Sequence, residues 1–121
     1  MLLRTPRADA LLARALDPRE RLHAPHLLDI EVTQVLRRLV RQKEIALARA
    51  DQALEDLSHL VLERHDHLSL VPRVWQLRDS LTAYDAAYVA LAEALDAPLL
   101  TSDAKLAGAH GHRATIELIP G

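Results

Sequence analysis

Asp85 and Asp103 stand eighteen positions apart in Leu81–Ala107, LTAYDAAYVALAEALDAPLLTSDAKLA, a segment that alternates helix, strand and turn signals. Asp85 falls in the first turn of a predicted helix over Ala83–Leu95. Asp103 falls just past a short apolar strand, Pro98–Thr101. In a parallel α/β sheet, strand carboxyl ends and helix amino ends share one edge, where ligand crevices form. Two carboxylates delivered to that edge are suited to a hard cation. Glu31 is a third candidate. At 100° per residue it lies about 40–80° from Leu28, Val35 and Leu39, so it borders the apolar stripe of its helix. An ionised Glu is rarely buried unless it is paired or metal-bound. Asp29 points about 160° away from Glu31 and is expected in solvent.

Each of these carboxylates also has a structural reading. Thr82-x-x-Asp85 fits a capping box, and Asp at a helix start complements the macrodipole. Ser102 or Asp103 can cap the helix that follows the strand. Glu31 can snorkel or pair with Arg. Three half-buried carboxylates on one edge would repel one another without a cation between them. Mg²⁺ or Mn²⁺ is the matching ion, and phosphodiester hydrolysis by a metal-activated water is the chemistry it would serve. The histidines offer a rival metal reading. His65-Asp66-His67 and His110-Gly111-His112 are close pairs, but they fall in predicted loops and have no helical geometry behind them; with His23 and His26 they read as surface residues. Arg37, Arg38, Arg41, Arg64, Arg73 and Arg78 read as a salt-bridged face, a few of them available to grip phosphates. Trp75 and Tyr88 are expected in or beside the core.

The elements that must position these groups follow from periodicity and punctuation. Thr5-Pro6 starts a helix that ends before Asp17-Pro18. Arg21–Pro25 is a candidate strand. His26–Arg41 is a periodic helix with Leu28, Val32, Val35, Leu36 and Leu39 on one face, and Ile45–Leu57 pairs with it. Leu60–Glu63 reads as a strand, His65–Leu70 as a loop and Val71–Ser80 as a helix. After Pro98–Thr101 come a short helix, Ala104–Ala109, and a last strand, Thr115–Ile119. Alternating strands and helices predict an α/β/α sandwich with a mostly parallel sheet. No strand is read ahead of the first helix, although a right-handed βαβ start would normally supply one.

Composition narrows the function classes. With 121 residues the chain is read as one domain, 1–121. It has no Cys, which excludes thiol nucleophiles and zinc–thiolate sites, and three Gly, with no phosphate-binding glycine loop. A net charge of −2 gives no bulk attraction for nucleic acid, so such binding needs a local basic patch or a bridging metal. No apolar run is long enough to span a bilayer and no signal peptide is visible, so the cytoplasm is the expected compartment.

At Pro25–Leu39 (PHLLDIEVTQVLRRL), Pro72–Arg78 (PRVWQLR), Leu81–Leu95 (LTAYDAAYVALAEAL) and Pro98–Leu106 (PLLTSDAKL), the chain resembles the PIN-domain ribonucleases, specifically VapC-type toxins. The resemblance covers nearly the whole chain. It implies a three-layer α/β/α PIN-like sandwich and a metal-dependent endoribonuclease with an acidic quartet. Glu31, Asp85 and Asp103 match three of its positions, and Thr101 matches the family's supporting hydroxyl. It further implies Mg²⁺ or Mn²⁺, an RNA substrate, a VapB-type antitoxin partner and a homodimer. The family's first acid lies on an amino-terminal strand with a V-D-x-S-like sequence. This chain is read as starting just after that strand, with Met1 an internal start and roughly ten residues upstream. The first strand and its ligand are then missing, and the alternative function is a catalytically weak PIN-fold module that docks an antitoxin or itself. A phosphatase or receiver-like domain is the third reading.

Overall fold

The computed structural model describes residues 2–4, 21–101 and 104–118. Its centre is a parallel sheet built from β1 (Leu2–Arg4), β2 (His23–Pro25), β3 (Glu63–His65), β4 (Leu99–Thr101) and β5 (Ile116–Leu118), in the order β3-β2-β1-β4-β5. Parallel neighbours cannot be joined by tight hairpins, so each connection crosses over. Between β2 and β3 run α1 (Leu27–Arg41) and α2 (Leu47–His59). Between β3 and β4 come a 3₁₀ turn (Leu68–Leu70), α3 (Val71–Gln76) and α4 (Ala83–Leu95), and α5 (Ala104–Gly108) precedes β5. The α/β PIN-like sandwich expected above is the fold observed. The helix read from Thr5 to Leu16 lies outside the described residues.

One part of that expectation is corrected. The chain does carry a strand ahead of β2, and it is the middle strand of the sheet. Leu2 pairs with His23 on one side, and Leu2, Leu3 and Arg4 pair with Leu99, Leu100 and Thr101 on the other. Three residues are too few to show a period, and an interior parallel strand need not alternate. Leu2-Leu3 therefore carried no strand signal of its own. β3 is displaced as well. It covers Glu63–His65 rather than Leu60–Glu63, pairing Glu63, Arg64 and His65 with His23, Ala24 and Pro25. It is an edge strand, short and charged, which is how edges resist pairing with other chains.

The core forms around α4. Seven consecutive residues, Ala86–Ala92, are buried. A helix apolar on all sides belongs in the interior, and α4 packs against β1, β2 and β4. Its alanines allow close approach, while Tyr88, Val89 and Leu91 fill space with Leu28, Leu77, Leu99 and Leu106. Both α1 and α4 end in Schellman motifs. Glu44 and Lys43 donate their amides to the Leu39 and Val40 carbonyls, and Ala97 and Asp96 donate theirs to Ala92 and Glu93. Lys43 (φ 59°) and Asp96 (φ 50°) take the left-handed positions. Among the described residues, no helix is long and apolar enough to cross a membrane.

Candidate active site

α1 leaves the carboxyl end of β2, and α4 runs back to the start of β4, so its amino end lies at the carboxyl edge of the sheet. Thr82 caps α4, its Oγ1 accepting from the Asp85 amide at 3.1 Å. That is one half of the expected capping box, and it leaves Asp85 half-buried in the first turn. Three residues on, along the same helix face, the Tyr88 hydroxyl donates to Glu31 Oε1 at 2.5 Å. Tyr88 is fully buried, so the bond anchors Glu31 of α1 to the first turns of α4. Thr101 ends β4 opposite Arg4 of β1, with its side chain 2% exposed. Asp103 lies outside the described residues.

Glu31, Asp85, Tyr88 and Thr101 present only oxygen donors, two of them carboxylates at helix amino ends. That donor chemistry fits a hard divalent ion such as Mg²⁺ or Mn²⁺ better than a soft one. β1 is the exception. Its residues, Leu2, Leu3 and Arg4, include no carboxylate.

Several charged side chains have structural partners instead. Asp29 is not a solvated carboxylate: Arg64 Nε and Nη2 clamp it at 2.7 and 3.0 Å, and Nη2 also reaches the Leu57 carbonyl. The guanidinium of Arg64 is held above its ordinary pKa by that hydrogen-bonded pair. Arg73 grips Glu93 in the same way, at 2.7 and 3.0 Å, and Glu93 also accepts from the Arg113 amide at 2.8 Å. The Glu93 side chain is only 2% exposed. Hydrogen bonding from Arg73, outweighing the cost of burial, holds its carboxyl below the usual range. Arg78 lies 4.7 Å over the ring of Trp75, which is 66% exposed and not part of the core. Arg37, Arg38 and Arg41 are exposed.

Sequence reasoning passed over two features. Tyr88 was expected only to fill the core, and its i+3 spacing from Asp85 was the available signal. His23 and His65 read as surface residues in sequence, yet the His23 side chain is 15% exposed and the two rings stand 5.1 Å apart. An i, i+2 pair has no meaning on a helix, but on a strand it puts Glu63 and His65 on one face.

The PIN domain family profile matches residues 2–110. Ribonuclease VapC1 of Mycobacterium tuberculosis is 47% identical over 113 residues, covering 93% of this chain and 85% of that protein. The chain belongs to the VapC-type PIN-domain family. Ribonuclease VapC12 of the same organism is 40% identical over 119 residues, 98% of this chain and 91% of its own length. The crystal structure of PAE2754 from Pyrobaculum aerophilum superposes with a TM-score of 0.72 at 25% identity, covering 95% of this chain and 81% of that one. The VapC-type likeness thus extends over nearly the whole chain, and the PIN profile takes in Glu31, Asp85, Thr101 and Asp103.

Proposed function

We propose that this chain is the toxin of a toxin–antitoxin pair and hydrolyses RNA phosphodiester bonds with Mg²⁺ or Mn²⁺. The observation that carries the reading is the Tyr88–Glu31 hydrogen bond, which holds an acid of α1 one turn from Asp85. Relatives named ribonucleases, similar over 93% and 98% of the chain, support the same reading. In this account Glu31, Asp85 and Asp103 hold the ion, and Residues 1–121 act as one PIN-like unit. A divalent ion there would polarise a phosphoryl oxygen and lower the pKa of a bound water. Tyr88, by donating to Glu31, fixes the rotamer of that carboxylate. Thr101, buried at the strand end, supports the carboxylates with its hydroxyl. A VapB-type antitoxin is the inhibitory partner, and a homodimer is the working assembly.

A specific observation favours a second reading. β1 supplies no acid at the middle of the sheet. With one ligand fewer, the chain becomes a catalytically weak module that still docks an antitoxin. Purified antitoxin-free protein incubated with structured RNA separates the two. Cleavage that requires Mg²⁺ or Mn²⁺ and stops with chelator is the expected result. Intact RNA under all conditions, with antitoxin binding retained, establishes the module instead.

A further inference from the structure

His23, Glu63 and His65 form a second candidate metal centre, on β2 and β3 rather than beside β4. Register puts His23 of β2 level with Leu2 of β1 and so with Leu99 of β4. Two strand spacings and two residues then separate His23 from Thr101, a Cα distance of about 12 Å. His23 opens β2, and Glu63 and His65 begin and end β3 directly beside it. Alternation turns all three toward one face, while Ala24 and Arg64 face the other. This agrees with Arg64 reaching α1 and α2.

The ligand atoms converge. His23 Nδ1 lies 2.9 Å from His65 Nε2 and 3.1 Å from Glu63 Oε2. Among the described residues, this is a set of three whose ligand atoms all fall within 4.8 Å of one another. Two ring nitrogens at 2.9 Å must share a proton, and His23 Nδ1–H is the donor that serves both His65 and Glu63. Around a tetrahedral ion with bonds of about 2.0–2.2 Å, ligand atoms stand roughly 3.4 Å apart. Replacing the shared proton with a metal therefore requires His23 Nδ1 to part from each of these two partners by a few tenths of an ångström. Arg21 binds the other carboxylate oxygen of Glu63 at 2.9 Å, steadying the group. The second histidine pair contrasts with this one. His112 engages both ring nitrogens with neighbouring backbone, the Leu106 carbonyl of α5 and the Ala114 amide.

We propose that His23 Nδ1, His65 Nε2 and Glu63 Oε2 bind a borderline divalent transition metal of the Zn²⁺ class, which clips edge strand β3 to β2. Two imidazoles and one carboxylate select such ions over Mg²⁺ and Ca²⁺. Three protein ligands leave a fourth position for water. The site does not depend on RNA cleavage, so either proposal can fail alone.

Zn²⁺ titration of the antitoxin-free chain by calorimetry, in excess Mg²⁺, tests it. One Zn²⁺ per chain is expected, retained in Asp85→Asn and His110→Ala. Affinity should fall at least about 100-fold in His65→Ala and at least about tenfold in Glu63→Gln, the range that loss of an outer-shell partner alone produces. Glu63 is 53% exposed, so that variant keeps the measurement informative if His65→Ala fails to fold. Co²⁺ should give a four-coordinate absorption spectrum that Glu63→Gln alters. No Zn²⁺ binding beside Mg²⁺, or binding indifferent to both variants, overturns the proposal.

Discussion

Glu31 and Tyr88 carry the argument at the scale of single residues. Without the phenol, the carboxylate loses a charge-assisted donor worth about 1.5–3 kcal/mol. Tyr88→Phe keeps the ring in the core but forfeits that bond, so the variant should still fold and melt several degrees below the wild type. Its RNA cleavage should fall roughly tenfold or more, by loss of a donor bond of that size. Unchanged cleavage would remove Tyr88 from the site. The buried Glu93 carries a different prediction. Its folded-state pKa is depressed below 4.5, chiefly by hydrogen bonding from Arg73. Its stabilisation is therefore complete above the unfolded-state value and is lost as pH falls through the lower folded one. Glu93→Gln should cost about 2 kcal/mol at pH 7, where the pair is ionised. The gap from wild type in urea unfolding should narrow below about pH 4.5.

At the scale of elements, legibility in the sequence tracked how local the deciding force was. α4 was readable because Thr82 and a seven-residue buried run mark its start and its face. α1 was readable from its apolar stripe, and the same stripe put Glu31 at its border. Asp29 was misread because its partner, Arg64, lies 35 residues away on an edge strand, beyond any helical wheel. β3 was misplaced for a related reason. The apolar Leu60-Val61-Leu62 looks like the strand, but pairing with β2 selects Glu63–His65, and Val61 ends 84% exposed. Lys43 gives this scale its test. A non-glycine residue in the left-handed region costs about 1 kcal/mol, and the exposed Lys43 side chain has no evident role there. Lys43→Gly should raise stability by roughly 0.5–1 kcal/mol in chemical unfolding. A loss would mean that the turn is not strained.

At the scale of the molecule, the strand order shows how residues 31, 85 and 101, proposed above as one site, are drawn from separate parts of the chain. β1 stands at the centre of the sheet, with β2 beside it feeding α1 and β4 on the other side receiving α4. Long-range pairing of this kind leaves no local trace, and for that reason Leu2–Arg4 was invisible as a strand. Family likeness carried the fold from sequence, while the residues alone left Asp85 equally readable as a cap. It does cap-adjacent work, since its amide binds Thr82, and the proposal adds a metal to its carboxylate. RNA cleavage in Mg²⁺ by the wild-type chain and by Asp85→Asn, at matched thermal stability, is the most direct measurement. Metal-dependent cleavage reduced at least about 100-fold in the variant is the predicted result. Equal cleavage by both proteins would contradict the account.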